Sequence, residues 1–227
     1  SLSRREILKA SAGFAAAIAA GKIGDASAAQ AVQRYEAPRA LDPRQRLLLK
    51  GGTIISMDAR IGDFAKGDVL IEGKKISAVG ANLTAAGSQI VGAANMILIP
   101  GFVDCHRHSW EGQLRRINPN APTLADYSNA THLSFATFYR PQDMYAGGLI
   151  TGLGCIDAGI TCVIDNSHNA RSAEHSDAAV EALIDSGVRA VHASGGPQAG
   201  EWAHQWPQDL PRLQKKYFSS DDQLVTL

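Results

Sequence analysis

The chain has 227 residues, of which 45% are hydrophobic and 19% charged, and its 22 Lys and Arg balance its 22 Asp and Glu. This composition excludes an intrinsically disordered chain, and the lack of net charge or of a basic block argues against nucleic acid as a partner. The three cysteines make no disulfide scaffold, and no run of about 18 apolar residues predicts a membrane span. The sequence therefore predicts a soluble globular protein of one or two domains.

The amino terminus has the parts of an export signal. Arg4 and Arg5 precede an Ala-rich apolar stretch, and Ala26-Ser27-Ala28 fits a signal-peptidase site. The arginine pair resembles a twin-arginine signal. We therefore expect residues 1–28 to be a signal peptide, removed on export to the periplasm or the exterior. The alternative is an ordinary amphipathic helix with a chance arginine pair, and the protein would then stay in the cytoplasm.

Residues 29–45 are polar, contain two prolines and show no period, which predicts a linker. After it, residues 47–57 hold two β-prone runs around a Gly pair, residues 68–80 are typical of a hairpin, and residues 96–99 are typical of a strand. We expect residues 46–100 to form a small all-β unit.

The pattern changes after Pro100, where apolar runs typical of strands alternate with helical segments. A buried strand over 101–106 is followed by a helix over 142–158, a strand over 161–165, a helix over 172–186, a strand over 188–194, a weaker helix over 209–218 and the start of a strand over 224–227. This order predicts parallel βα units. Fewer residues follow Pro100 than the ~250 of a closed (β/α)8 barrel. We therefore expect an α/β fold in which residues 101–227 form the first three to four strands of a TIM-type barrel.

The strongest chemical signal follows the first of these parallel strands. Residues i and i+2 of a strand share a face, so His106 and His108 project together. Paired neutral imidazoles are natural ligands for zinc or iron, and active sites of parallel barrels lie at the carboxyl ends of their strands. The sequence predicts a metal site at these two histidines.

The surrounding residues resemble a known family. MILIPGFVDCHRH, residues 96–108, resembles the first barrel strand of the amidohydrolase superfamily of metal-dependent hydrolases. Residues 48–54 and 67–76 look like the amino-terminal β-sandwich of that family. Two further segments are similar to its branch of cytosine, guanine and S-adenosylhomocysteine deaminases and triazine hydrolases: WEGQLRRI, residues 110–117, and DAGITCVID, residues 157–165.

The resemblance implies hydrolysis of carbon–nitrogen bonds outside peptides, with deamination or hydrolysis of an N-heterocyclic small molecule by metal-activated water. The divalent metal would be zinc, with iron as the alternative, and His106 and His108 would be two of its ligands. The family takes its other ligands and its proton-handling carboxylate from later strands, which we expect beyond Leu227. We therefore expect this chain to be an inactive fragment with weak metal binding. Its open sheet edge predicts poor solubility or a homo-oligomer.

Two other functions stay open. A non-catalytic remnant or binding protein could keep the fold without the chemistry. A dihydroorotase-like or dipeptidase-like member of the same superfamily would carry a lysine that bridges two metals at the end of the fourth strand. Strands after Leu227 that end in His, His and Asp would favour the hydrolase.

Three further residues are candidates for substrate contact. Trp110 and Glu111 follow the histidine pair and either line the pocket or have a structural role in a long loop. His168 lies just past the second barrel strand and faces the expected cleft.

The other histidines and the cysteines are expected to be structural. His192 is expected in the core, whereas His132, His175 and His204 are expected in loops or on the surface. Cys105 alternates with the histidine pair and is expected to pack against the helices. Cys155 and Cys162 are expected to be buried apolar residues, with a disulfide between them as the alternative after export.

Overall fold

A computed structural model describes residues 45–117, 120–202, 205–220 and 223–227. The predicted signal peptide, nearly all of the predicted linker and His204 lie outside these ranges. The described residues are mixed α/β and form two compact units. One comprises the described residues up to Ile54 together with Asp63–Ile97, and the other comprises Ile55–Gly62 and Leu98–Leu227. Within the described ranges, no helix combines the length and the apolar character that crossing a membrane requires.

The first unit is built on a five-stranded sheet. Its strands are β1 (Arg46–Ile54), β2 (Phe64–Glu72), β3 (Lys75–Gly80), β4 (Gln89–Gly92) and the short β5 (Ile97–Leu98). The order is β3-β2-β1-β4, and β5 also pairs with β1. The hairpin predicted over residues 68–80 is confirmed, because β2 and β3 are antiparallel neighbours.

The Gly pair of β1 differs from the expectation of two separate runs. One strand continues through Gly51 and Gly52, with a register shift on the β2 side. Gly51 has φ of 82°, which favours glycine, and the strand bends there instead of ending. The buried Asp68 of β2 fixes this bend, because its carboxylate accepts the N–H groups of Gly51 and Leu83, each at 2.8 Å, and pairs with Lys50 Nζ at 2.9 Å.

The second unit is built on a parallel four-stranded sheet in the order β6-β7-β8-β9. These strands are Phe102–Arg107, Ile160–Ser167, Arg189–Ser194 and Val225–Thr226. Its helices are α1 (Leu124–Ala130), α2 (Pro141–Asp157), α3 (Ala173–Ser186) and α4 (Leu210–Tyr217), with 3-10 turns at Ser109–Leu114 and Phe135–Phe138. Strand, helix and strand alternate from β6 to β9, as the sequence predicted.

The core of this unit lies between the sheet and the helices. Val163 of β7, Val180 and Leu183 of α3 and Leu213 of α4 are almost fully buried in one apolar cluster. A second cluster joins Trp110 and Met144 to the amino-terminal half of α3. Both follow from the apolar faces of helices that lie against a parallel sheet.

The expectation of a buried first strand was wrong. Phe102 is 56% exposed and Val103 is 65% exposed, and Cys105, expected to pack against the helices, is exposed as well. The reason is that β6 is an edge strand, which pairs with β7 alone among the described residues. Its apolar sequence is that of a strand with neighbours on both sides.

Candidate metal centre

Three imidazoles meet where the parallel strands end. One ring nitrogen from each of His108, His132 and His168 lies within 4.8 Å of those of the other two. His108 directly follows β6, His168 directly follows β7, and His132 comes two residues after α1. We call these three residues the imidazole cluster.

A backbone carbonyl orients His108. Its Nδ1 lies 2.8 Å from the carbonyl oxygen of Asn166 in β7. A carbonyl oxygen only accepts hydrogen bonds, so Nδ1 donates, and Nε2 of the neutral ring keeps its lone pair. The ring of His108 lies 4.3 Å from that of His168 between centroids, with an edge-on arrangement.

A carboxylate orients His132. Its Nε2 lies 2.9 Å from Oε1 of Glu111, which also accepts a hydrogen bond from the hydroxyl of Tyr127 at 2.7 Å. Burial raises the pKa of Glu111, but the hydrogen bonds from His132 and Tyr127 outweigh it, so the pKa lies below its ordinary value and the carboxyl is ionised at neutral pH. Nε2 of His132 therefore donates. Its Nδ1 is buried and has no hydrogen-bond partner among the described residues.

The third imidazole is held neutral by its surroundings. Burial, followed by the neighbouring His108 and His132, lowers the pKa of His168 to about 4. Its Nε2 is buried, and within the described part of the chain it has no hydrogen-bond partner. A neutral imidazole with an unpartnered nitrogen is available as a metal ligand or a hydrogen-bond partner.

The predicted pair, His106 and His108, is brought together as the strand period requires. The centroids of their rings lie 4.9 Å apart, and His106 is exposed whereas His108 is half-buried. Both lie at a pocket of about 550 Å³, whose lining also includes Glu111, Arg115 and Thr151. Their assignment as metal ligands stays a prediction.

The side chain of Trp110 is almost fully buried and is not exposed to solvent. Its ring packs edge-on against Tyr139 at 5.0 Å and lies 5.5 Å from the ring of His168. The side chain therefore supports the imidazole cluster from the apolar core. Glu111 lines the pocket and holds His132, so the structure brings two of the three candidates for substrate contact, Glu111 and His168, next to the predicted metal pair.

Two histidines expected in loops or on the surface are buried, although His132 does lie in a loop. His132 is 5% exposed because the segment after α1 returns to the end of β6, where Glu111 lies. His175 of α3 is 9% exposed, and its Nε2 hydrogen-bonds the carbonyl of Tyr139 at 2.9 Å. Residues 120–139 show no helical or strand period of apolar residues. Apart from the presence of a histidine, nothing in the sequence therefore predicted that this segment folds back to the end of β6.

Sequence reasoning also missed Asp165, whose only signal was its position at the end of a predicted strand. This buried carboxylate accepts the N–H of Ser109 at 2.9 Å and lies 3.1 Å from Nδ1 of His192. The expectation that His192 is in the core is confirmed. The cysteines are all free: Cys155 is buried, and Cys162 is half-buried where burial was expected.

No protein-family profile matches the sequence. The 5-methylthioadenosine/S-adenosylhomocysteine deaminase of Thermococcus kodakarensis is 28% identical over 155 residues, which are 68% of this chain and 34% of that enzyme. A triazine hydrolase from Arthrobacter aurescens matches in structure with a TM-score of 0.67 and 24% identity over 81% of this chain and 45% of its own. A variant of atrazine chlorohydrolase from the same organism, in complex with zinc, has a TM-score of 0.65 and 23% identity, over 79% of this chain and 45% of its own.

These matches indicate the class of proteins that the chain resembles. The structural neighbours are named as hydrolases, one of them in complex with zinc, and the relative is named as a deaminase. The curated relatives named as deaminases and the structural neighbours named as hydrolases support the resemblance of this chain to the amidohydrolase superfamily. It spans about a third of the length of the curated relatives that it matches.

Proposed function

We propose that this chain is part of a metal-dependent hydrolase that breaks carbon–nitrogen bonds outside peptides in an N-heterocyclic small molecule. The observation that carries the proposal is the imidazole cluster at the carboxyl ends of β6 and β7, with two buried ring nitrogens that lack a partner among the described residues. Active sites of parallel α/β folds lie at this edge. The deaminase named among the relatives supports the reaction class.

The residues present fit a divalent metal. Neutral imidazoles are ligands for zinc, and buried nitrogens without partners are costly unless a ligand completes them. The predicted ligands are His106 and His108, and the zinc complex among the structural neighbours supports zinc over iron. When bound, the metal supplies Lewis-acid activation of water near neutral pH.

Residues of this chain are also proposed to shape the pocket and to contact the substrate. Glu111 accepts hydrogen bonds from His132 and Tyr127 and so fixes one wall of the pocket. The proposed substrate contacts are Glu111 and His168, with Trp110 packed beside His168. The guanidinium of Arg115 lines the same pocket and offers donors to a substrate's ring nitrogens or oxygens.

We also propose a more specific fold assignment than a mixed α/β architecture. We propose that residues 46–100 correspond to the family's amino-terminal β-sandwich and residues 101–227 to the first part of its barrel. The five-stranded sheet of the first unit and the parallel order β6-β7-β8-β9 of the second support this assignment.

Metal analysis tests the proposed function. The purified chain, and any longer protein that contains it, are loaded with Zn²⁺, dialysed and analysed for bound metal, beside the variants His108→Ala and His192→Asn. We expect His108→Ala to lose most of the bound zinc and His192→Asn, at a histidine outside the cluster, to retain it. The longer protein is then assayed for ammonia release from adenine nucleosides. Equal zinc in all three proteins, or zinc retained without any hydrolysis of N-heterocycles, would contradict the proposal.

Export is a separate proposal. We propose that the protein leaves the cytoplasm through the twin-arginine route, because Arg4-Arg5 precedes an Ala-rich stretch and Ala26-Ser27-Ala28. Replacing both arginines with Lys should keep the protein in the cytoplasm, as measured by fractionation. Unchanged export would show that the signal is of another kind.

A further inference from the structure

We propose that Trp206 is a specificity-determining residue, which contacts a group of the substrate that lies away from the bond to be broken. The inference rests on the proposed hydrolysis of an N-heterocyclic small molecule. It adds that this molecule carries an apolar substituent, which extends from the reacting ring along the edge of the parallel sheet. Sequence reasoning assigned no role to Trp206 or to the loop that carries it.

The loop after β8 lies at the same edge of the sheet as the imidazole cluster. Strands β6, β7 and β8 are neighbours in that order, and His108 and His168 directly follow the first two. Gly195 directly follows β8, and a Cβ on this residue would lie 3.3 Å from Cβ of His168. Parallel α/β folds bind their ligands at this edge. The loop is therefore the next wall of the site after His168.

The indole ring of Trp206 lies against the backbone at the start of this loop. A Cβ on Gly196 would lie 2.8 Å from Cη2 of Trp202 and 3.3 Å from Cε3 of Trp206, so glycine lets both rings lie this close. Nε1 of Trp206 donates a hydrogen bond to the carbonyl of Ser194 at 2.9 Å. This bond fixes the ring to the carboxyl end of β8.

Two further hydrogen bonds hold the loop in place. The N–H of Gly195 donates to the carbonyl of Ser167, at the end of β7, at 2.6 Å. The guanidinium of Arg171 donates to the carbonyl of Ala199, also at 2.6 Å. A surface that is held in position before binding loses little conformational freedom when the ligand arrives. The loop therefore presents Trp206 as a preorganised contact.

Trp206 keeps an apolar surface that a ligand can reach. The residue is 37% exposed, whereas Trp110 is 1% exposed. Nε1 is the only polar atom of the side chain and is engaged by Ser194, so the rest of the side chain that a ligand can contact is carbon. Tryptophans are enriched among the residues whose truncation costs most affinity at binding surfaces, because they bury a large apolar area.

The spacing of the strands indicates which part of the substrate Trp206 contacts. Neighbouring strands lie about 4.8 Å apart, so the ends of β6 and β8 are separated by about 10 Å. The predicted metal pair, His106 and His108, lies at the end of β6. Apolar contact requires an approach to about 4 Å. A ring that reacts beside this pair therefore meets Trp206 through its substituent, and the reacting carbon stays outside contact.

Equilibrium dialysis of the zinc-loaded 227-residue chain against adenine and 5′-methylthioadenosine tests the inference. The two compounds share one ring system, and only the second carries a sugar and an apolar thioether. We expect the unaltered chain to bind 5′-methylthioadenosine at least about 10-fold more tightly than adenine. Trp206→Ala should weaken the binding of 5′-methylthioadenosine by about 5-fold to 30-fold and change that of adenine by less than about 2-fold.

A second variant and a control accompany this measurement. Trp206→Gln keeps a donor for the carbonyl of Ser194 but lacks the ring, so it should behave as Trp206→Ala and decides alone if that variant does not fold. Phe102→Ala is the control, because Phe102 is 56% exposed and lies at the opposite end of β6 from the metal pair. It should leave both affinities unchanged. Circular dichroism and the thermal midpoint show that each variant is folded.

The outcomes separate this inference from the proposed function. Equal losses of both affinities would show a structural role for Trp206, and no loss of either would show no role. Each result overturns the inference and leaves the proposed function standing, as do equal affinities of the unaltered chain for the two compounds. Binding of neither compound also overturns the inference, and the ammonia assay of the longer protein then decides the proposed function on its own.

Discussion

The side chain of Asp165 connects neighbouring strands of the parallel sheet near their carboxyl ends. It lies in β7, is 1% exposed, and its two carboxylate oxygens contact the N–H of Ser109 after β6 and Nδ1 of His192 in β8. One side chain therefore joins the ends of three neighbouring strands. His108 precedes Ser109, so the same hydrogen bond holds the backbone that carries one member of the imidazole cluster.

Replacing Asp165 with Ala should destabilise the chain strongly. The change leaves two buried donors without an acceptor, and each unsatisfied buried donor costs about 1–3 kcal/mol. We expect the free energy of unfolding to fall by about 2–4 kcal/mol, measured by urea denaturation. Asp157→Asn, at an exposed carboxylate at the end of α2, is the control and should stay within about 0.5 kcal/mol of the unaltered chain. Equal stability of the two variants would contradict the structural role of Asp165.

For single residues, the sequence predicts contacts that depend on local spacing. It does not predict contacts between residues that a loop brings together by folding back. His106 and His108 come together because alternate residues of a strand share a face. His132 and Glu111 are 21 residues apart and lie in segments without a period, so their hydrogen bond depends on how the loop folds back. The predicted metal pair therefore contained one member of the imidazole cluster, and His168 was assigned to the substrate.

Three of the four glycines of helix α2 lie on the side that meets its neighbours. A Cβ on Gly147 would lie 2.1 Å from the carbonyl oxygen of Trp110, and a Cβ on Gly152 would lie 2.3 Å from Oγ of Ser186 in α3. Gly148 would meet Cβ of Ala182 at 2.8 Å. The absence of side chains lets α2 approach both the 3-10 turn after β6 and helix α3, and this approach encloses Trp110.

Gly147→Ala and Gly154→Ala form a matched pair in this helix. At Gly147 the new methyl group meets backbone, which cannot move away cheaply, so we expect a loss of about 1–3 kcal/mol in the free energy of unfolding. At Gly154 nothing lies within 4 Å of a Cβ, so Ala should stabilise the helix by about 0.5–1 kcal/mol. Chemical denaturation of both variants measures the difference. A loss of stability at Gly154 as large as at Gly147 would show that helix packing is not the cause.

The first turn of α2 has an acidic cap that predicts a pH dependence. The carboxylate of Asp143 accepts the backbone N–H of Arg140 at 2.9 Å and the Nε–H of the same residue at 2.8 Å. The side-chain hydrogen bond from Arg140, followed by the backbone hydrogen bond, lowers the pKa of Asp143 from 3.8 to about 2. The folded state therefore favours the charged form.

Asp143→Asn should cost about 1 kcal/mol at neutral pH, the usual value of a helix cap. Because the pKa is lowered on folding, the contribution of Asp143 is complete above its unfolded pKa and is lost as the pH falls from about 4 towards 2. The stabilities of the two proteins should therefore converge in acid. Thermal midpoints measured between pH 2 and pH 7 check this, and a constant difference across that range would contradict it.

Elements with clear boundaries were predicted well. Helix α2 begins at Pro141 and helix α3 ends just before Gly187, and both residues are strong local signals of a helix boundary. Both helices lie within about two residues of their predicted bounds. Strand β4 and helix α1 were missed, because QIVG and LADYSNA are too short to show a period. Their formation depends on pairing with β1 and on the Thr123 cap rather than on a repeated apolar pattern.

For the whole second unit, the alternation of strands and helices predicted the parallel order of the sheet, but the sequence did not predict that its first strand is exposed. A run of apolar residues predicts a strand that is suited to burial. It does not show which part of the protein would bury that strand. Phe102 and Val103 of β6 and Ile150, Leu153 and Ile156 of α2 are each more than 40% exposed. A group of exposed apolar side chains beside an edge strand is a site of self-association.

We therefore expect the 227-residue chain to associate as its concentration rises, and Val103→Thr combined with Leu153→Glu to shift it towards the monomer. Val103 is 65% exposed on an edge strand and Leu153 is 52% exposed on α2, so both changes remove apolar surface from contact with water without opening the core. Sedimentation velocity over a range of concentrations measures the shift. Val163→Thr is the control, because Val163 is 1% exposed and the buried hydroxyl should lower stability without reducing association. A monomeric unaltered chain at high concentration, or equal association of the double variant, would show that these side chains are not the contact.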